Sequence, residues 1–393
     1  MRWQNPEWLP DGAVKIPTNW LFNHYYEALT VLFRIENALR TFVFVVLKDT
    51  EKSGWRDLAI KTEDEGDTTI TAVAKRRLAQ DKAFGYLGYP ISSPLMHLTS
   101  GELIRIILSD TYWPRFASYF PASKTIVQTK LEEIGNVRNA LAHFRPLNTD
   151  DVQVVKQNAN QVLSGVETLL VSIVDCPDTV PTNSKDAWYD SLKVLSGPYV
   201  KLVFSQSIDG KWVRLGLEYS CQPISEPYTS NTYQSYRVLS VNTPRLLAAS
   251  KAILENLIFA SEYVPYVQMP IDGVPAFSKT VRLLFSRKTL ADKHDELKKE
   301  LEEVLKQITT ETDLTKDDSL ARGDVVQSAH VTASREAEDK GWQVDRTSLL
   351  SRGSEDDPPE YWAGHPFLGG HFVSNSESFP WMPVTISRFT FPF

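Results

Sequence analysis

Arg138, Asn139 and His143 stand close together in the stretch "LEEIGNVRNALAHFRP", residues 131–146. Histidine is the side chain whose protonation changes nearest neutral pH, which makes it the usual acid or base of bond-cleaving chemistry. An arginine that reaches the same point can hold a phosphate by paired hydrogen bonds. Asn139 adds an amide able to orient either partner. RNA brings its own nucleophile, the 2′-hydroxyl, so these groups would suffice to break it without a metal or any other cofactor. Spacing alone also fits solvated side chains on an ordinary bundle helix.

The stretch reads as a helix that Ser123 can cap and that Pro146 stops, with Arg145 as its expected last residue. At about 100° per residue, Arg138 and His143 lie roughly 140° apart, while Asn139 and His143 share a face. The wheel groups Arg138, Asn139, Ala142 and His143 in one sector and assigns Leu131, Ile134 and Leu141 to the opposite one. In a last turn, carbonyls without helical partners favour a positively charged side chain.

The elements that must hold this helix are themselves helical from about Pro17 to Val174. A first helix spans about 19–47, with Leu29, Leu32, Leu39, Phe42, Val43 and Val46 at helical spacing; beyond Ala38 it is apolar almost all round, as a buried central helix is. "TAVAKRRLAQDKAFG" predicts a second helix ended by Gly85. Thr99 with Glu102 is a capping box for a short third helix. After the fourth, Asn148 or Thr149 caps a fifth along Val152, Val155, Val162, Val166 and Leu169. Residues 175–186, rich in Pro, Asp, Ser and Thr, read as a linker.

Beyond the linker the pattern changes. "YVKLVFSQ", "KWVRLGLEYS", "YRVLSVN" and "KTVRLLFSR" read as strands, and "TPRLLAASKAILENLIFASEY" as a helix. An amphipathic helix with Leu290, His294, Leu297, Leu301, Val304 and Ile308 closes an α+β domain over 187–309. Residues 310–393 read as irregular. The expected fold is therefore an α-helical bundle followed by a smaller α+β domain.

Over 393 residues the formal net charge is -7, which argues against coating nucleic acid by bulk charge and restricts any such contact to a local patch. Two cysteines, Cys176 and Cys221, provide neither a disulfide framework nor metal-ligand spacing, and a reducing cytoplasm is the expected location. The longest apolar run, 41–47, is too short to span a membrane, and the first residues lack the apolar core of a signal peptide. His365 and His371 have no Cys or acidic residue at ligand spacing, so no metal is expected. Cys221 reads as a core residue.

"VRNALAHFR" resembles the signature of HEPN domains, in which an Arg, a polar residue after it and a His after four to six intervening residues close a helix of a helical bundle. "RIENALRTFVF" in a long first helix and "LTSGELIRII" before the signature helix are similar to the same family. The resemblance covers about residues 17–174. It implies a metal-independent endoribonuclease of the toxin or abortive-infection type, cleaving tRNA or mRNA as a homodimer whose facing signature helices share a cleft, and restrained by an antitoxin or trigger protein. On that resemblance His143 is the acid or base, Arg138 binds the scissile phosphate and Asn139 orients the His or the RNA. Some HEPN domains are instead non-catalytic dimerisation or nucleotide-binding modules, with the function carried by the other domain.

Three further features keep two readings each. Glu36 and Arg40, on a stripe with Leu29 and Val43, either border the cleft or form a buried structural pair. Lys75, Arg76 and Arg77, with Lys82, either steer RNA or form a solvated helix face. Arg145 either contacts phosphate or caps carbonyls.

Overall fold

The computed structural model describes residues 7–15, 25–62, 66–84, 94–225, 232–268, 276–316, 325–335, 341–347 and 357–362. The expected start of the first helix at 19, its Pro17 boundary, Gly85 and both His365 and His371 lie outside them. The side chain of Lys82 does too.

Helix α1, Tyr25–Glu51, is the axis of the N-terminal half. Its Thr41–Lys48 stretch is buried all round, as a run with no polar face must be. Phe42 sits among Phe116, Tyr119 and Phe120, with ring centroids 5.4, 5.4 and 5.8 Å away. Around it lie α2 (Ile70–Phe84), α3 (Ser100–Leu108), α4 (Lys124–Ala142), α5 (Thr149–Val162) and α6 (Ser164–Val174).

The local start signals operate largely as expected. Thr99 and Glu102 form the capping box of α3, and Asn148 with Asp151 forms that of α5. Ser123 precedes α4 with extended backbone but makes no side-chain cap. The expected fifth helix breaks at Leu163 into α5 and α6. Gly165 explains what the break permits: a Cβ there would lie 2.1 Å from the carbonyl oxygen of Tyr119. Only the smallest residue lets the two backbones approach so closely.

Strands β1 (Glu7–Trp8) and β2 (Val14–Lys15) form one antiparallel pair, and β3 (Ala59–Thr62) and β4 (Gly66–Thr69) form another. The remainder is built on an eight-stranded antiparallel sheet. Its strands are β5 (Asp178–Thr179), β6 (Val200–Gln206), β7 (Trp212–Ser225), β8 (Tyr233–Val241), β9 (Phe259–Gln268), β10 (Ala276–Ser286), β11 (Val326–Ser334) and β12 (Gln343–Thr347). The long β7 pairs β10 on one edge. On the other it pairs β6 through Val213–Tyr219 and then β8 through Gln222–Ser225. Helix α7, Arg287–Lys316, lays Leu290, Leu297, Leu301, Val304 and Ile308 on the sheet, all buried.

The expected fold class is thus corrected. The chain is a mixed α+β protein, not a helical bundle trailed by a smaller domain. Three observations overturn the expectation. The segment read as a linker contributes β5, and Arg214 of β7 donates to the carbonyls of Val174 and Cys176 at 3.2 and 2.9 Å. The region read as irregular from 310 onward completes α7 and adds β11 and β12. Trp212, Ile258, Phe259, Leu284 and Trp362 belong to the same apolar core as α1. "LIFASEY", read as helix, enters β9 instead from Phe259, because a short apolar run is ambiguous in period.

Residues 360–362 close the junction between the halves. Ala260 donates to Glu360 at 2.7 Å, and Trp362 donates back to Ala260 at 2.8 Å. The Trp362 ring stacks on Phe259 with centroids 4.5 Å apart and meets Phe44 of α1 at 5.1 Å. Glu360 is buried against Lys48 of α1 at 2.7 Å, each side chain 1% exposed. Among the described residues no helix is long and apolar enough to cross a membrane.

Candidate active site

Helix α4 ends three residues before the expected Arg145, with Ala142 its last member and His143 its cap. Phe144 has a φ of +53°, in the left-handed region. The Phe144 N–H bonds the Leu141 carbonyl at 3.0 Å, and the Arg145 N–H bonds the Ala140 carbonyl at 2.9 Å. This is a Schellman ending, normally built on glycine. Pro146 contributes by excluding helical backbone at Arg145. The carbonyl of Leu141 also accepts from the Tyr25 hydroxyl, so the helix end is less bare of partners than its sequence implied.

That geometry brings Asn139, His143 and Arg145 to the surface, all exposed. Arg138 is half-buried, with 35% of its side chain accessible, and its Nε lies 3.6 Å from Glu36 Oε2. Glu36 holds Arg40 with its other oxygen. Arg40 also donates to Asn37 Oδ1 and to the Leu98 carbonyl, both at 3.1 Å. Burial pushes the Arg40 guanidinium below its ordinary value, and Glu36 opposes that shift. One carboxylate thus serves two guanidiniums, leaving a surplus positive charge where α1 crosses α4.

The Glu36–Arg40 pair is bonded within α1, and Glu36 also meets Arg138. The stripe they were assigned is only partly buried: Val43 is enclosed, while Leu29 is 44% exposed. The expected separation of Arg138 from the apolar stripe is corrected as well. Arg138 lines one narrow cleft with Glu36, Leu131 and Ile134, because Leu131 lies nearly two full turns before it on the same side.

Gly135 forms part of that cleft wall, with nothing within 4 Å of where a Cβ would be. Glycine inside a helix costs about 1 kcal/mol relative to alanine. Gly135→Ala is expected to raise the unfolding free energy by roughly 0.5–1 kcal/mol, measurable as a higher urea midpoint at unchanged slope. An unchanged or lower midpoint would show that α4 needs the empty space for packing.

The basic cluster divides. Lys75 is exposed and Arg76 half-buried. Arg77 is corrected from RNA ligand to structural residue: its guanidinium grips both oxygens of Glu102 at 2.7 and 2.8 Å and also donates to the His97 carbonyl. Burial alone would raise the Glu102 carboxyl. Arg77 and Thr99 outweigh it and hold that carboxyl below the usual range. Arg77 therefore ties α2 to the capping box of α3. The Arg145 side chain is exposed and its backbone does the capping.

Tyr25 and Phe144 were missed in the sequence. A bulky residue between the helix-ending histidine and an Arg-Pro pair was the available signal, since the chain must turn there. Cys176 and Cys221 are buried, and burial pushes their thiols up to about 11 and about 12. Neither is a ready nucleophile. Among the described residues no group of three or more His, Cys, Asp or Glu is placed to hold a metal ion.

A second concavity, of about 680 Å³, lies on the sheet where Lys201, Glu218, Ser220, Ser278, Thr280 and Arg282 line it. Glu218 faces Lys201 across β6 and Thr280 across β10. No protein-family model, curated protein or solved structure matches the chain.

Proposed function

We propose that the chain is a metal-independent endoribonuclease of HEPN type. The observation that carries the reading is the grouping at the end of α4: exposed His143 and Asn139, with Arg138 poised against Glu36 of α1. In the proposed reaction the 2′-oxygen bonds to the adjacent phosphorus and the bond to the 5′-oxygen breaks. A base takes the 2′-hydroxyl proton, and an acid supplies one to the departing 5′-oxygen. The products are a 2′,3′-cyclic phosphate and a 5′-hydroxyl.

His143 fills one of these proton-transfer roles. A second copy of the chain, with its own α4 facing the first, fills the other, so the active form is a homodimer. Arg138 holds the scissile phosphate, exchanging its long contact with Glu36 for a shorter, charge-assisted bond to the anion. Asn139 orients the imidazole or the ribose. In the cell the protein is a cytoplasmic toxin or abortive-infection effector acting on tRNA or mRNA, restrained by an antitoxin or released by a trigger protein.

The reading is tested with a substrate carrying one 2′-deoxynucleotide at a mapped cleavage position. Loss of cutting at that position alone, and a 2′,3′-cyclic phosphate on the products of the all-ribose substrate, are expected. Continued cutting at the deoxy position excludes the 2′-hydroxyl mechanism. The polar concavity on the sheet favours a second reading, in which the helical half is a dimerisation or nucleotide-binding module and the sheet carries the activity.

A further inference from the structure

We infer that Phe144 is a stacking platform for an unpaired RNA base beside the scissile phosphate, an inference that rests on the ribonuclease reading above. Three features of the residue point the same way. Its backbone is in the left-handed region, φ +53°, at the helix-ending position where glycine is usual. A side chain there strains the backbone, because its Cβ crowds the following carbonyl oxygen. The usual recovery of such strain is burial, yet Phe144 is 84% exposed, the largest exposure among the described large hydrophobic residues. Strain at an observed outlier that packing does not recover is a mark of function.

The ring is also held in orientation. It lies 3° from parallel to the Tyr25 ring, centroids 6.2 Å apart, and Tyr25 is anchored by its hydroxyl to the Leu141 carbonyl. One aromatic plane is thus braced at the end of α4 while presenting surface to solvent. It follows His143 directly and precedes the exposed cation Arg145. An acid or base, a flat apolar surface and a positive charge on consecutive residues match a nucleotide's phosphodiester, base and next phosphate. Every base has a π-face, so such a platform favours single-stranded over paired RNA without reading sequence.

The experiment uses the full chain carrying His143→Ala, so that RNA is bound and not cut, and a fluorescein-labelled single-stranded oligoribonucleotide followed by anisotropy. Phe144→Gly in this background should weaken binding by about tenfold to a hundredfold. Phe144→Trp should retain it. The Gly variant should melt no lower than its parent, because glycine adopts the left-handed backbone freely. Binding by Phe144→Gly equal to the parent overturns this inference alone. So does a lowered melting temperature shared by the Gly and Trp variants, which would make the ring a structural cap, or a shift of the Gly variant from dimer to monomer, which would make it an interchain contact. Failure of the parent to bind any single-stranded RNA overturns the ribonuclease reading and this inference with it.

Discussion

Glu360→Gln is expected to lower the unfolding free energy by about 3–5 kcal/mol, the usual cost of leaving one member of a buried ion pair without its partner. Lys48 and Glu360 meet at 2.7 Å with both side chains 1% exposed. The Lys48 ammonium keeps one further acceptor, the Leu254 carbonyl at 2.7 Å, but loses its counter-charge. Arg56, at 3.4 Å from Glu360, loses its partner too, though its side chain is 40% exposed and water replaces it. Replacing both members with apolar residues, Lys48→Met with Glu360→Leu, is expected to recover much of the loss.

The pH dependence of this variant has a definite sign. Burial already pushes the Lys48 ammonium below the ordinary lysine value of 10.5, and Glu360 opposes that shift. Without the carboxylate the folded-state value falls further. Between the folded and the unfolded values the unfolded chain binds more protons, so stability rises with pH across that window. Glu360→Gln should therefore recover part of its deficit as pH is raised from 7 toward 10. Urea denaturation at several pH values checks this; a deficit that stays constant or grows with pH would remove Lys48 as the cause.

His143→Ala is expected to reduce RNA cleavage by about 10²- to 10⁴-fold, the span of a positioned acid or base. Because the residue is exposed at a helix cap, its loss should change stability by no more than about 0.5 kcal/mol. Arg138→Ala should give a comparable loss of cleavage, and Arg138→Lys should restore only part of it, since an ammonium lacks the planar fork. Equal melting curves for wild type and these variants separate lost chemistry from lost structure. The link to Glu360 runs along α1, where Arg40 and Lys48 are eight residues, or about 12 Å, apart.

How much of this was legible in the sequence depended on whether the cause was local. The capping boxes at Thr99 and Asn148 are written within four residues, and both form. The all-round apolar stretch of α1 predicts its burial, and Thr41–Lys48 is enclosed. The four strand motifs read in the sequence fall in β6, β7, β8 and β10. What failed depended on pairing. β9 pairs with β10, so "FASEY" is a strand by virtue of the next strand along the chain, not of its own period. Strand β11 finds β8 more than eighty residues upstream, and the polar composition around it hid the pairing.

The site divides in the same manner. Arg138, Asn139 and His143 could be named from one helix turn and a half. That Arg138 meets Glu36 depends on how α1 crosses α4, and that Arg77 is committed to Glu102 depends on how α2 meets α3. Phe144 was hidden because its left-handed backbone follows from the helix ending as a unit, not from a residue type that prefers it.

The most direct measurement is cleavage of total RNA and purified tRNA by the full chain in EDTA, with His143→Ala alongside at the same concentration. Discrete fragments ending in 2′,3′-cyclic phosphate from the wild type, and intact RNA with the variant, are the predicted result. Equal cleavage by the two proteins, or none by either as purified dimers free of any bound regulator, would contradict the account.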